Sequence, residues 1–168
     1  DGKAVHHGVP TETAIVAAMC KVFNTDKATL DYENPRMCEI PFDSDRKLMT
    51  TVCMIDQKPY AIIKGGADII IERSLNIDKE QVQKAADLMA ADALRVLGIA
   101  LKPLDEVPTN PTVDELEYDL TFVGLVGLID PPRNEAKLAI KDCKRAGIRT
   151  VMITGDHIVT ASAIAKQL

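Results

Sequence analysis

Apolar side chains recur along this chain with two spacings, one helical and one typical of strands. Within residues 10–23 the apolar positions, including Met19 and Val22, lie three or four residues apart, which predicts an amphipathic helix. Residues 78–93 repeat that spacing in an alanine-rich segment. Asp78 stands where an N-cap residue is expected, so we predict a second helix there.

Between and after these helices the pattern becomes strand-like. Cys38, Ile40 and Phe42 alternate with polar neighbours, and β-branched residues are frequent in the segment that follows. Short connections between neighbouring segments predict an antiparallel sheet. The residues from Pro103 to Glu117 hold three prolines among acidic residues and are predicted to form an exposed loop. The predicted strands are 38–42, 48–55, 60–64 and 96–101.

Near residue 120 the pattern changes again. Nearly continuous apolar runs at 120–129 and 148–153 alternate with helical patterns at 134–146 and 158–168. Continuous apolar strands separated by helices are typical of a parallel α/β sheet that is buried on both faces. We therefore predict an α/β protein with two parts. Residues 1–120 form an α+β domain with an antiparallel sheet flanked by helices, and residues 121–168 form an incomplete segment of a parallel α/β sheet.

The composition argues against a nucleic-acid partner, a cysteine metal site and a membrane span. The net charge is −5 at pH 7 and the 20 lysines and arginines are scattered, so no nucleic-acid partner is expected. The four cysteines lie far apart without metal-binding spacing, and we expect them to be reduced. No apolar run approaches the roughly 18 residues of a membrane span, so the chain itself is expected to be soluble.

The ends of the predicted parallel strands carry polar groups. Asp130 follows the first apolar run, and Thr154, Gly155 and Asp156 follow the second. Ligands of open parallel sheets lie beyond such strand ends, and the amides that open the next helix favour an anion. Phosphate with Mg²⁺ would suit these carboxylates. Alternatively, Asp156 only caps a helix and Asp130 only ends a strand, and short motifs do not decide between these readings.

Other polar or aromatic positions in the first part have ordinary explanations when taken singly. Lys64 before Gly65 suits a solvated strand end as well as a ligand-binding cation, and Phe42 suits a core position as well as a stacking surface. Glu12 is favourable near a helix N-terminus. Arg95 and the pair Arg46-Lys47 read as ordinary surface charges.

The order of six sequence blocks favours the ligand-binding explanations over the ordinary ones. GVPTETAI, FDSDRKLMT, KGGAD, LRVLGIA, DPPR and MITGD follow one another along the chain and resemble the blocks of P-type cation-transporting ATPases, in particular the calcium-pump-like type II branch. The resemblance implies that residues 1–120 are most of a nucleotide-binding domain. It also implies that residues 121–168 are an incomplete, Rossmann-like part of a phosphorylation domain with a haloacid-dehalogenase-like fold.

The same resemblance implies roles for individual residues toward ATP or ADP. Phe42 would stack on adenine, and Lys47 would lie beside the base or the phosphates. Lys64 and Gly65 of the KGG block would line the adenine pocket, with Glu12 near the adenine amino group. The other implied roles are Arg95 at ribose or phosphate, and Asp130, Thr154, Gly155 and Asp156 at the γ-phosphate and Mg²⁺.

Two departures from the family blocks weaken the expected affinity. Gly66 adds a second glycine after Lys64, and Ser44 stands where several calcium pumps have an arginine. The family's DKTGT block, with its phosphorylated aspartate, is absent from this sequence, as are its GDGxND block and its membrane helices. We therefore predict weak binding of ATP or ADP and no turnover by this chain alone.

The expected setting is the cytoplasmic face of a membrane pump. The partners implied are its actuator, phosphorylation and membrane domains, and the favoured ion is Ca²⁺. Because the strand that carries DKTGT is missing, residues 120–153 are expected to be disordered, to pack on the nucleotide domain, or to pair with another copy through an exposed sheet edge.

Two other functions stay open from the sequence. A haloacid-dehalogenase-like phosphatase needs an Asp-x-Asp motif, and Asp43-Ser44-Asp45 has that spacing, although it does not cap a hydrophobic parallel strand. The other alternative is a non-catalytic nucleotide-binding or interaction domain in which the motifs are unused.

Overall fold

The computed structural model describes residues 8–154 and 158–168. The helices are α1 (Pro10–Phe23), α2 (Lys27–Glu33), α3 (Ala67–Arg73), α4 (Lys79–Ala91), α5 (Val113–Leu116), α6 (Asn134–Arg145) and α7 (Ile158–Gln167). The strands are β1 (Arg36–Asp43), β2 (Leu48–Ile55), β3 (Lys58–Gly66), β4 (Ser74–Leu75), β5 (Arg95–Pro103) and β6 (Leu120–Leu128). No helix in these residues is long and apolar enough to cross a membrane.

The six strands form one sheet in the order β1-β2-β3-β5-β6-β4. Every neighbouring pair from β1 to β6 is antiparallel, and only the short β4 pairs in parallel with β6. The predicted antiparallel sheet and the helices predicted near 10–23 and 78–93 are therefore confirmed. Asp78 caps α4, since its carboxylate accepts a hydrogen bond from the amide of Gln81 at 3.0 Å.

The two faces of the sheet differ in how well they are covered. Alternate side chains of β2, including Leu48, Thr50 and Val52, are fully buried, and we call the face that carries them the core face. Ile70 of α3 and Leu116 of α5 pack against it. The opposite face carries Met49, Lys64 and Ile99, which are paired across β2, β3 and β5 and only half-buried, and we call it the open face.

The prediction of a parallel strand at 120–129 is wrong. β6 pairs antiparallel with β5 along its length, from Thr121 opposite Leu101 to Leu128 opposite Arg95. Only part of its apolar run is buried: Leu120 is fully buried and Leu125 packs against the cluster between α3 and α4, whereas Val123 is exposed. An apolar run does not encode the direction in which a strand pairs. The domain boundary near residue 120 stays a prediction, but the sheet continues across it.

The prediction of a strand at 148–153 is also wrong. These residues pair with no strand among the described residues, and the side chain of Ile153 is 92% exposed. A strand persists only where a neighbour satisfies its backbone groups. The helices predicted at 134–146 and 158–168 are present as α6 and α7, and α7 lies against α4. The Rossmann-like arrangement of residues 121–168 is not confirmed, and pairing with another copy stays a prediction.

The segment from Pro103 to Glu117 is not wholly an exposed loop. It ends in the single turn of α5, and both Leu116 and Glu117 are fully buried. Leu116 closes the core face, whereas the prolines that dominate the segment precede α5. The composition of the whole segment concealed one turn with an inward-facing side chain.

Candidate functional site

The candidate residues gather at one end of the sheet, which we call the site end. β1, β3 and β6 finish there, and β2 and β5 begin there, because these five strands alternate in direction. Neighbouring strand termini therefore form a row of backbone ends and loops. The candidates in this row are Phe42, Lys47, Lys64, Gly65, Arg95 and Asp130.

The loop between β1 and β2 is organised by Asp43. Its carboxylate accepts hydrogen bonds from the amides of Asp45 at 3.0 Å and Arg46 at 2.8 Å, and its carbonyl accepts one from the amide of Lys47 at 2.7 Å. Aspartate commonly stabilises turns in this way. Asp43 thus ends an antiparallel strand and holds a turn, which does not favour the phosphatase alternative for Asp43-Ser44-Asp45.

Phe42 lies at an irregularity of β1. The pairing passes from Ile40 opposite Thr50 to Asp43 opposite Leu48, so β1 contains one more residue than β2 over this interval. Such a bulge removes the following side chain from the regular alternation. Ile40 packs against the core, whereas Phe42 is 61% exposed. The sequence left a core position open for Phe42, and the structure excludes it.

Lys64 and Glu12 form an ion pair, although 52 positions separate them in the sequence. Lys64 lies on the open face of β3 with 20% of its side chain exposed, and Glu12 lies in the first turn of α1 with 51% exposed. The family resemblance assigns each residue separately to the adenine pocket. The fold brings them into contact and leaves the pair accessible from solvent.

Gly65 joins Lys47 to the end of β3. A Cβ atom on Gly65 would lie 2.1 Å from the carbonyl oxygen of Lys47, a distance that no side chain tolerates. The amide of Gly66 donates a hydrogen bond to that same oxygen at 3.0 Å. Gly65 is therefore required by the close approach of two backbones, and the loop that carries Lys47 rests directly on the end of β3.

Arg95 and Asp130 lie further along the same row, at the ends of β5 and β6. Arg95 is exposed at the start of β5, opposite Leu128 of β6, and Asp130 is exposed two residues beyond Leu128. Thr154 is exposed as well. Gly155 and Asp156 lie outside the described residues, so the expected phosphate face stays a prediction.

A buried carboxylate was missed by the sequence reasoning. Glu117 is fully buried and accepts hydrogen bonds from the Thr50 hydroxyl at 2.7 Å, from Arg46 Nε at 3.1 and 3.3 Å, and from an Arg73 guanidinium nitrogen at 3.3 Å. We call these four residues the Glu117 cluster. The sequence predicts an ordinary surface charge at Arg46, whereas the structure pairs Arg46 with a buried carboxylate. No local pattern reveals the cluster, because its members come from β2, α3 and two loops.

The row suits an adenine nucleotide. An exposed aromatic ring provides a stacking surface for a base, and the neighbouring Lys47 and Lys64 provide cations for phosphate or for the polar edge of the base. Asp130 provides a carboxylate of the kind that assists Mg²⁺. The chemistry of the residues present is thus compatible with ATP and Mg²⁺.

The chain belongs to the family P-type ATPase, cytoplasmic domain N, whose model matches residues 1–135. Among individual relatives, the calcium-transporting ATPase 1 of Bacillus cereus is 47% identical over 173 residues, covering 96% of this chain and 19% of its own length. The calcium-transporting ATPase of Bacillus subtilis is 41% identical over 182 residues, covering 100% of this chain and 20% of its own.

A relative named for a different activity is similar over nearly the same length. The sodium/potassium exporting P-type ATPase of Schizosaccharomyces pombe is 39% identical over 178 residues, covering 99% of this chain and 17% of its own length. The chain thus spans about a fifth of the relatives it matches. The resemblance read from the six blocks is confirmed.

Proposed function

We propose that this chain is the part of a P-type cation pump that binds ATP at the site end of the sheet and presents its phosphates to the phosphorylation domain. Adenine stacks on Phe42, and Lys64 with Glu12 contacts the polar edge of the base. Lys47 and Arg95 lie along the ribose and phosphates. Asp130, Thr154, Gly155 and Asp156 face the γ-phosphate and Mg²⁺.

The observation that carries the proposal is the convergence of these residues on one end of the sheet. Phe42, Lys64 and Arg95 come from three strands spread over more than fifty positions, and antiparallel pairing brings their termini side by side. The row begins with an exposed aromatic ring at the end of β1 and ends with a carboxylate after β6, so its two ends match the base and the metal-bound phosphates of a nucleotide.

The activity of the whole pump is part of the proposal. The bacterial relatives are named as calcium-transporting, and the fission-yeast relative is named as sodium/potassium exporting. We propose cation transport driven by ATP hydrolysis, with Ca²⁺ as the favoured ion. The partners are the remaining domains of the pump, at the cytoplasmic face of the membrane, and the aspartate that accepts the phosphoryl group lies outside this sequence.

Calorimetric titration of the chain with ATP tests the binding site. Stacking of a base on an aromatic side chain contributes about 1–3 kcal/mol, so Phe42→Ala is expected to raise the Kd roughly 5- to 150-fold. Tyr32→Ala is the matched control, because Tyr32 is an exposed aromatic residue on α2, away from the row. Equal Kd values for the wild type and Phe42→Ala would contradict the proposed site.

Turnover is tested separately by phosphate release in the presence of Mg²⁺. The chain is expected to bind ATP without hydrolysing it, since it carries no DKTGT block. Magnesium-dependent hydrolysis that copurifies with the chain and disappears in Asp43→Ala would instead support the phosphatase alternative. Absence of any saturable ATP binding would support a non-catalytic interaction domain.

A further inference from the structure

We propose that Glu117 is a positioning residue for the nucleotide site, and that it acts through Arg46 on the loop that presents Phe42 and Lys47. This inference rests on the proposed function. It assigns a role to a buried side chain that makes no contribution to the row of ligand-binding residues itself.

The first step is the burial of Glu117. Its side chain is fully buried, and a carboxylate is costly to bury unless cations and hydrogen-bond donors surround it. Two arginines and the Thr50 hydroxyl supply those donors. A carboxylate held from several sides has little freedom to move, so it is a fixed point to which other groups can be attached.

The second step is that Arg46 bridges this fixed point to the strand before Phe42. Its Nε donates to Glu117, while another guanidinium nitrogen donates to the carbonyl oxygen of Pro41 at 2.8 Å. Pro41 lies inside the bulge, where the ladder between β1 and β2 is irregular. The Arg46 side chain therefore contributes a bond at the point where the regular pairing changes register.

The third step is the position of the bridge within the loop. Phe42 directly follows Pro41, and Lys47 directly follows Arg46. The side chain of Arg46 is 12% exposed, so its bond to Glu117 is largely protected from water, whereas its bond to Pro41 lies at the surface. The bridge joins Pro41, the residue before Phe42, to Arg46, the residue before Lys47. It therefore fixes the separation of Phe42 and Lys47 before ATP binds. A site arranged in advance binds more tightly, because less ordering is needed on binding.

Arg73 provides a comparison within the same cluster. It donates to the side chain of Glu117 at 3.3 Å and to its backbone carbonyl at 3.4 Å, and its guanidinium lies 4.4 Å from the ring centroid of Tyr118. These contacts stabilise the buried carboxylate from α3, through the oxygen Oε2 that also accepts the hydrogen bond from Arg46 at 3.1 Å. Arg73 therefore shares the electrostatic role of Arg46 and lacks its bond to Pro41.

The test compares the two arginines by titrating ATP into the full 168-residue chain. Arg46→Met and Arg73→Met each remove one guanidinium from Glu117, and both are expected to lower the urea midpoint. Only Arg46→Met is expected to raise the Kd for ATP, by about five-fold or more, because only Arg46 orders the loop. Arg73→Met is expected to stay within about two-fold of the wild type.

Arg46→Lys keeps the experiment decisive if Arg46→Met does not fold. Lysine retains a charge for Glu117 but lacks the planar fork that reaches Glu117 and Pro41 together, so it is expected to fold and still to bind ATP more weakly. Equal effects of Arg46 and Arg73 variants on the Kd, or no effect of either Arg46 variant, would overturn the inference. Phe42→Ala distinguishes the two failures: if it leaves ATP binding unchanged, the proposed site is wrong, and if it weakens binding while Arg46 variants do not, only the positioning role is wrong.

Discussion

The core face and the open face of the same sheet differ in how deeply their side chains are buried. The core face is covered by α3 and α5, and its side chains at Leu48, Thr50 and Ile63 are fully buried. The open face leaves Lys64 and its neighbours half-buried, and α1, whose Glu12 pairs with Lys64, has no buried residue. Stability therefore resides mainly on one face, while the other keeps polar side chains accessible. Substitutions on the two faces should separate folding from binding.

The largest effect is expected from Ile70→Ala on the core face. Ile70 is fully buried and packs so closely on β5 that a Cβ atom on Gly98 would lie 2.7 Å from its own Cβ. Loss of the side chain should lower the free energy of unfolding by about 2–5 kcal/mol, as judged by urea denaturation. Leu88→Ala on the exposed surface of α4 is the control and should change it by less than about 0.5 kcal/mol. Similar losses for both variants would show that stability is not concentrated in the buried side chains of the core face.

On the open face, Lys64→Met should affect binding more than folding. Exposed ion pairs contribute about 0–1 kcal/mol to stability, and Glu12 is half exposed, so the free energy of unfolding should change little. A lost hydrogen bond from a charged group costs about 1.5–3 kcal/mol, which predicts roughly a 10- to 150-fold rise in the Kd for ATP.

The control for Lys64→Met is Lys58→Met. Lys58 is an exposed lysine at the opposite end of β3, so the two variants remove the same charge from the same strand. The Kd for ATP should be unchanged in Lys58→Met. If the two variants weakened binding equally, net charge rather than the local site would explain the effect.

Gly65→Ala tests the contact that joins the loop to the sheet. The new methyl group overlaps the Lys47 carbonyl, so the loop or the strand end must shift. We expect a loss of about 1–3 kcal/mol in stability together with weaker ATP binding. Gly124→Ala in β6 is the matched control, because no atom lies within 4 Å of its added Cβ. Normal stability and binding in Gly65→Ala would show that the close approach does not constrain the site.

The smallest effect concerns a region outside both faces. Asp26 caps α2, and hydrogen bonds from the backbone and side chain of Thr29 lower the pKa of its carboxyl. A lowered pKa contributes stability that is present above the ordinary aspartate value and is lost as the pH falls through the folded value. Circular dichroism below about pH 4 should show slight fraying of α2. In Asp26→Asn, which keeps a capping oxygen without a charge, this acid-dependent fraying should be absent.

Most helices and strands of residues 1–120 were predictable from sequence. The spacing in α1 and α4, and the alternation in β1 and β2, are local properties that the fold preserved. The short α2 and the two-residue β4 were not predicted, because both lack enough residues to show a period. Residues 148–153 have the composition of a strand and form none, since a strand requires a partner.

For the candidate site, sequence alone indicated the residue types but not their arrangement. The blocks identified Phe42, Lys64 and Arg95, and the family comparison confirmed the resemblance on which they rest. Their individual roles stay predictions. Glu117 could not be found, because its partners Arg46 and Arg73 lie 71 and 44 positions away.

The sequence by itself determined the local elements and the chemistry available at their ends, because helix spacing, strand alternation and turn residues depend on neighbours along the chain. Only the tertiary structure decided that β6 runs antiparallel to β5, that a bulge exposes Phe42, and that Glu117 is buried between two arginines. Pairing direction and burial depend on distant segments. They become defined only when the sheet assembles and brings those segments into contact.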